Sequence, residues 1–294
     1  MRWTDILREK DGPVFSFEFF PPRNEDAALK FDAVIDNLAQ LNPDAVTVTF
    51  GAGGSTKDGS FQIVDKLKNK KGLGTVAYIA GYGLGPEEIV SVLDKYKGIG
   101  IETIFVVHGD KPHGAEDFKA HSDSMSYASD LISFIAGKYD FCLGCAGYPE
   151  GHVDSESLEK DMEYLKLKVD NGAQYVVAQY VYNVDFFFDF VKRARDIGID
   201  VPILPGIMPI YSVKLTKNLS RICGAAITDE VSDALAKLPP DDKKAVVDYG
   251  VDLATEQCRQ LLKRGADGLH FYTMNRSKTV VEVVSRLKSE GLMK

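Results

Sequence analysis

The chain has 294 residues, a formal net charge of −8 and a pI near 5.2, with 45% hydrophobic and 27% charged residues. An acidic chain of this kind is not built to take nucleic acid or an anionic membrane surface as its main partner. Its length exceeds one ordinary domain but suits a (β/α)8 barrel, and no low-complexity tract, transmembrane run or signal peptide is visible, so a cytoplasmic location is expected.

Residues 1–13 form a polar, amphipathic extension, followed by the first expected strand, 14–19 (VFSFEF), which Pro21 and Pro22 stop. Glu18 stands in that strand among phenylalanines. Desolvating a carboxylate costs several kcal/mol unless it is paired or protonated. Either Glu18 faces solvent by simple alternation, or it sits at a strand end where a raised pKa is useful. A helix is expected over 25–41, then strands over 45–50 and 74–80, a helix over 86–97, and strands over 102–107 and 141–146. A helix over 155–171, a strand over 175–181, a helix over 183–196 and strands over 201–206 and 268–273 complete the series. Strand then helix, eight times over, is the pattern of parallel βα units that close into an α/β TIM barrel.

Residues 207–267 are more than one crossover helix needs. They read as helices split at Pro239-Pro240, with Asp241-Asp242 capping the second. Because "GLHFYT" resumes the barrel pattern, 221–267 is expected to be a helical elaboration before the last strand. The whole of 1–294 is then one domain. In such a barrel, function lies at the C-terminal ends of the strands. Those ends carry Glu18, Thr49, Tyr78, the His108-Gly109-Asp110 turn, Tyr148, Gln179, Pro205-Gly206 and the Tyr272–Arg276 turn. Cys142 and Cys145 form a C-x-x-C inside a strand, where residues three apart point to opposite faces, so they read as structural free thiols. The five histidines show no metal-binding spacing, and no protein-bound metal is expected.

The stretches "FSFEFFPPR" (15–23), "VTVTFGAGGSTKD" (46–58), "HGDKP" (108–112), "YASDL" (127–131), "GYPEGH" (147–152), "LKLKVDNGAQYVVAQY" (165–180), "ILPGIMPI" (203–210) and "HFYTMNRS" (270–277) occur in one order. On these, the chain resembles the methylenetetrahydrofolate reductase family from about residue 14 to residue 288, in its bacterial form with the catalytic barrel alone. The resemblance implies an FAD flavoprotein that reduces 5,10-methylenetetrahydrofolate to 5-methyltetrahydrofolate in one-carbon metabolism and methionine biosynthesis. No G-x-G-x-x-G is present, so the flavin would lie across the barrel mouth rather than in a Rossmann site.

Glu18 matches the family's general acid, which protonates the departing N10 as the substrate ring opens. A carboxyl group among Phe17, Phe19 and Phe20 is expected to be held in its protonated form by desolvation. Asp110 matches the acid near the flavin N1/C2 edge that also contacts the pterin, where negative charge favours hydride donation. Gly109 lets the backbone approach the ring. Thr49, Phe50 and Ala52 match flavin and nicotinamide contacts, and Ala146 and Tyr148 fit the flavin as well. Tyr127 and Ala128 open the fourth barrel helix, whose N–H groups suit a pyrophosphate. His152, Asp161 and Lys168 carry over to positions that hold the ribose, phosphate and adenine portions. Gln179 matches the residue that hydrogen-bonds the pterin edge, and Arg276 a position at the folate or nicotinamide end. His108 stands where relatives commonly carry Arg, and Tyr78 where they carry a flavin-contacting His. Leu215 and Leu219 stand where some relatives have Gln and Phe touching folate and NADH; Leu offers no π-face for stacking.

The electrons would come from NAD(P)H. The alternatives are the same reduction fed by a partner protein subunit, a non-catalytic flavin- or folate-binding subunit of a larger assembly, and an unrelated phosphate-binding barrel. The presence of both Glu18 and Asp110 weighs against a binding-only role. The resemblance also implies a homo-oligomer, or a hetero-oligomer where a partner donates electrons.

Overall fold

Pro205 divides one of the eight expected strands, so nine strands appear among the described residues. The structure, a computed structural model, describes residues 1–22, 24–51, 57–111, 116–239 and 242–294. Its strands are β1 (Val14–Phe19), β2 (Ala45–Val48), β3 (Thr75–Ala80), β4 (Thr103–Val107), β5 (Cys142–Gly147), β6 (Tyr175–Ala178), β7 (Ile203–Leu204), β8 (Gly206–Ile207) and β9 (Gly268–Tyr272). All pairings are parallel, in the order β7-β6-β5-β4-β3-β2-β1-β9-β8. β7 and β8 are two halves of one extended run. Proline has no N–H to offer the ladder. β7 therefore pairs with β6, β8 pairs with β9, and the Pro205 carbonyl accepts the His270 N–H at 3.0 Å, which closes the ring.

The helical layer contains α1 (Trp3–Glu9), α2 (Glu25–Ala39), α3 (Lys57–Asp65), α4 (Pro86–Gly98), α5 (Ala128–Ala136), α6 (Leu158–Asp170) and α7 (Val184–Asp196). It continues with α8 (Val213–Cys223), α9 (Asp229–Lys237), α10 (Lys243–Lys263) and α11 (Ser277–Ser289). A π-helical turn, Lys66–Lys70, extends α3. Among the described residues, no helix is long and apolar enough to cross a membrane.

Every residue of β1 is buried, and alternation explains how both its phenylalanines and its acid fit. Phe17 packs against Phe271 and Phe19 against Phe31 of α2, with centroids 5.9 and 5.6 Å apart, on the helix side of the sheet. Ser16 and Glu18 point the other way, into the barrel. Glu18 therefore faces the barrel interior near its mouth, and not solvent.

An aromatic column fills the interior below it. α1 closes the opposite end of the barrel: the Trp3 N–H donates to Thr103 Oγ1 at 3.0 Å, and the indole meets Tyr175 edge-on at 6.4 Å. Tyr175 contacts Phe105 at 6.0 Å, and Phe105 stacks on Tyr78 at 4.6 Å. The expected extension 1–13 thus contributes a plug. Cys142 and Cys145 are buried free thiols.

The stretch 221–267 contains the end of α8 and all of α9 and α10, and Ala225, Val231, Leu235 and Val246 from it form a small second core with Tyr180, Tyr182 and Ile210. Gln257 of α10 donates to the Val181 and Tyr182 carbonyls, both at 3.0 Å, which ties this layer to the end of β6. Asp242 caps α10 by accepting the Ala245 N–H at 2.9 Å; Pro240 and Asp241 lie outside the described residues. Asp242→Ala removes that acceptor from an exposed helix start and is expected to cost about 1 kcal/mol. The measurement is a lower denaturant midpoint at unchanged slope.

Candidate active site

The C-terminal ends of the strands surround a cavity of about 440 Å3. Glu18 stands in its floor, only 4% exposed. The Tyr78 hydroxyl donates to Glu18 Oε2 at 2.7 Å. β1 and β3 are separated by β2, so this contact crosses the barrel interior. From the other side, His270 Nε2 faces the same oxygen at 3.6 Å, while its Nδ1 shares a hydrogen bond of 2.8 Å with Ser16 Oγ. Burial, and after it the charge of Glu18, push the Tyr78 phenol well above its usual pKa, so the hydroxyl remains a donor.

The Glu18 backbone is clamped as firmly as its side chain. Thr273 Oγ1 donates to the Glu18 carbonyl at 2.6 Å. Asn275 brackets Phe20, two residues on: its Oδ1 accepts the Phe20 N–H at 3.0 Å and its Nδ2 donates to the Phe20 carbonyl at 2.8 Å. Asn275 and Met274 hold φ of 54° and 49°, a left-handed turn that aims the amide back at β1. The Tyr272–Arg276 turn was named from the sequence, but neither Thr273 nor Asn275 within it; an Asn just after a strand, a residue type that tolerates left-handed backbone, is the signal that was available.

Asp110 lies on the rim, exposed, and lines the same cavity as Glu18. It follows Gly109, whose φ is +83° and whose Cβ, were one present, would lie 2.7 Å from Ala80 Cβ. Both conformation and space require glycine there. The His108 carbonyl accepts the Tyr82 N–H at 2.7 Å, which fixes the turn, and its ring meets Tyr82 edge-on at 5.5 Å. Partial burial lowers the His108 pKa, against an opposing pull from Asp110, so the imidazole is uncharged at neutral pH.

Thr49, Phe50, Ala146, Tyr148, His152 and Gln179 also line the cavity. Tyr148 meets the His152 ring at 4.7 Å, and Lys168 Nζ lies 5.8 Å from the Tyr148 centroid while donating to the Ala146 carbonyl at 2.6 Å. Asp161 is buried and accepts a backbone hydrogen bond from His152; burial raises its pKa against the pull of Lys168. Asp161 and Lys168 therefore hold the loop that presents Tyr148 and His152. Gln179 Oε1 accepts the Tyr180 N–H at 3.1 Å.

The remaining expected residues lie further out. Tyr127 is exposed just before α5, its N–H accepted by Asp130 at 3.2 Å, and Ala128 is the first residue of that helix. Arg276 is exposed, its guanidinium 5.2 Å from the Tyr211 ring. Leu215 and Leu219 are half-buried on α8, and that helix meets the cavity instead through Ile222 and Cys223. Ala52 lies outside the described residues. Among the described residues, no cluster of His, Cys, Asp and Glu could hold a metal ion.

The family model described as "Methylenetetrahydrofolate reductase" matches residues 2–288. The chain is 32% identical over 273 residues to 5,10-methylenetetrahydrofolate reductase of Escherichia coli, covering 92% of this chain and 90% of that protein. The chain belongs to the methylenetetrahydrofolate reductase family. It is also 36% identical over 292 residues to methylenetetrahydrofolate reductase (NADH) 1 of Arabidopsis thaliana, covering 96% of this chain but 49% of that protein. The chain thus spans about half the length of its plant relative. A Clostridium thermocellum protein whose solved structure binds two copies of 5-methyl-5,6,7,8-tetrahydrofolic acid aligns with TM-score 0.66, at 16% identity over 98% of both chains. At that identity it shows the shared barrel fold.

Proposed function

We propose that this chain reduces 5,10-methylenetetrahydrofolate to 5-methyltetrahydrofolate with bound FAD. The observation that carries the reading is a carboxyl group, Glu18, held by Tyr78 in the floor of a cavity that Asp110 also lines. The small residues Ala80, Gly109 and Ala146 line the cavity together with the aromatic Phe50 and Tyr148, which supports a flavin fit. Thr49, His108, Gly109 and Asp110 would hold its ring portion, and Tyr148, His152 and the start of α5 the rest. When bound, it supplies the hydride.

The chain's own part is to prepare and orient the substrate. Gln179 would hold the pterin edge with its amide, which has both a donor and an acceptor. Glu18 gives its proton to N10 as the bond from N10 to the methylene carbon breaks. The methylene carbon is left double-bonded to N5 as a cation, and hydride addition to that carbon completes the methyl group. Asp110, on the rim, stabilises that cation. Glu18 then regains a proton from solvent.

NADH and NADPH are the proposed donors. The rim gives a specific reason to keep a protein donor as a second reading. Val153 and Ile222 line the cavity, each 54% exposed, and offer apolar surface without a π-face. Anaerobic stopped-flow separates the two. The protein is expected to be yellow, with its flavin absorbance bleached by NADH or NADPH. Bleaching by dithionite alone, followed by reoxidation with methylenetetrahydrofolate, assigns the donor role to a partner subunit. A folded, colourless preparation indifferent to added FAD overturns the proposal.

A further inference from the structure

We infer that Tyr78 is a positioning residue that decides which oxygen of Glu18 carries the transferable proton. The inference rests on the folate-reduction reading above and adds a role for a side chain from β3. The Tyr78 hydroxyl donates to Oε2 at 2.7 Å, and an oxygen that accepts there is the unprotonated one of a neutral carboxyl group. His270 Nε2 faces the same oxygen at 3.6 Å. Oε2 thus has two neighbours in the barrel wall, and the proton of a neutral Glu18 belongs on Oε1.

Tyr78 is built to keep that geometry. Its ring stacks on Phe105 at 4.6 Å with planes 27° apart, and Phe105 is supported in turn by Tyr175 and, through it, Trp3. Tyr78 is 7% exposed and Glu18 4%, so water does not compete freely for the hydroxyl. The hydroxyl also stabilises the carboxylate left after proton transfer more than it stabilises the neutral acid.

The test is a cycle on the full-length flavoprotein, using Tyr78→Phe, Glu18→Gln and the double variant. Each is reduced with dithionite and mixed with methylenetetrahydrofolate in single-turnover mode across pH. Tyr78→Phe keeps the ring and its stacking, and thermal melts verify the fold. The expected result is a fall of about ten-fold in the folate step, as for loss of a hydrogen bond to a charged group. The pH at which that step declines should move upward, because the ionised carboxyl has lost a donor. In the Glu18→Gln background the same substitution should change nothing further. The infrared carboxyl band that disappears in Glu18→Gln should shift in Tyr78→Phe. Full activity with an unmoved pH profile in Tyr78→Phe overturns the inference, as does an undiminished ten-fold effect in the Glu18→Gln background. A wild-type protein that never oxidises its reduced flavin with methylenetetrahydrofolate instead overturns the functional reading itself.

Discussion

Glu18→Gln is expected to lower methylenetetrahydrofolate turnover by ~10²-fold or more, about 2.7 kcal/mol in the barrier, while leaving flavin reduction by the electron donor unchanged. Glutamine matches glutamate in shape. Its side-chain oxygen can still accept the Tyr78 hydroxyl, so the fold and the cavity should persist. What disappears, on the proposed mechanism, is the proton for N10. Without it the ring must open by expelling an unprotonated amine, and the cationic carbon that accepts hydride forms slowly. Because the donor half of the reaction involves no departing nitrogen, the two half-reactions separate cleanly in stopped-flow traces. Equal slowing of both would point to a damaged site rather than a lost acid, and unchanged folate kinetics would remove Glu18 from the mechanism.

Gly144→Ala is expected to be among the most destabilising single methyl additions in the chain. A Cβ on Gly144 would stand 2.2 Å from Cζ of Tyr175 and 2.5 and 2.6 Å from two more ring carbons. Tyr175 cannot swing away easily. It is 2% exposed and held between Trp3 and Phe105 in the aromatic column. Overpacking in such cores costs roughly 1–3 kcal/mol and occasionally more, and this contact belongs at the upper end. The loss should appear as a lower thermal midpoint. Tyr175→Leu shortens the blocking side chain, so in the double variant the two effects should fall short of their sum. Strict additivity would show that the clash is relieved elsewhere.

Some parts of the site could be read from residues, and others depended on how the ring closes. Glu18 was legible as an unusual acid in an apolar strand with prolines after it, and the motif around it supplied a role. Asp110 and Gly109 were legible as a turn at a strand end, and the positive φ of Gly109 agrees. The fate of Tyr78 was not legible. Its position suggested a flavin contact, and it does line the cavity, but nothing in the sequence pointed to its hydroxyl meeting an acid 60 residues earlier in the chain. The α8 leucines show the same limit. Residue order does not fix the rotation of an amphipathic helix about its axis. The small core around Tyr180 and Ile210 takes up Leu219, and the helix end reaches the cavity through Ile222 and Cys223.

The amino-acid order alone determined the succession of strands and helices, the alternation of side chains along each strand, and which residues stand at the strand ends. These follow from periods of two and 3.6 residues and from proline's missing N–H, all of which act locally. Only the tertiary structure decided that Pro205 divides a strand while its carbonyl keeps the ring closed. It also decided that Glu18 meets Tyr78 and His270, and that Thr273 and Asn275 clamp the end of β1. Those contacts join strands that are adjacent, or face one another, only once a parallel sheet has curved through a full circle, and nothing in the spacing of residues along a single strand encodes them.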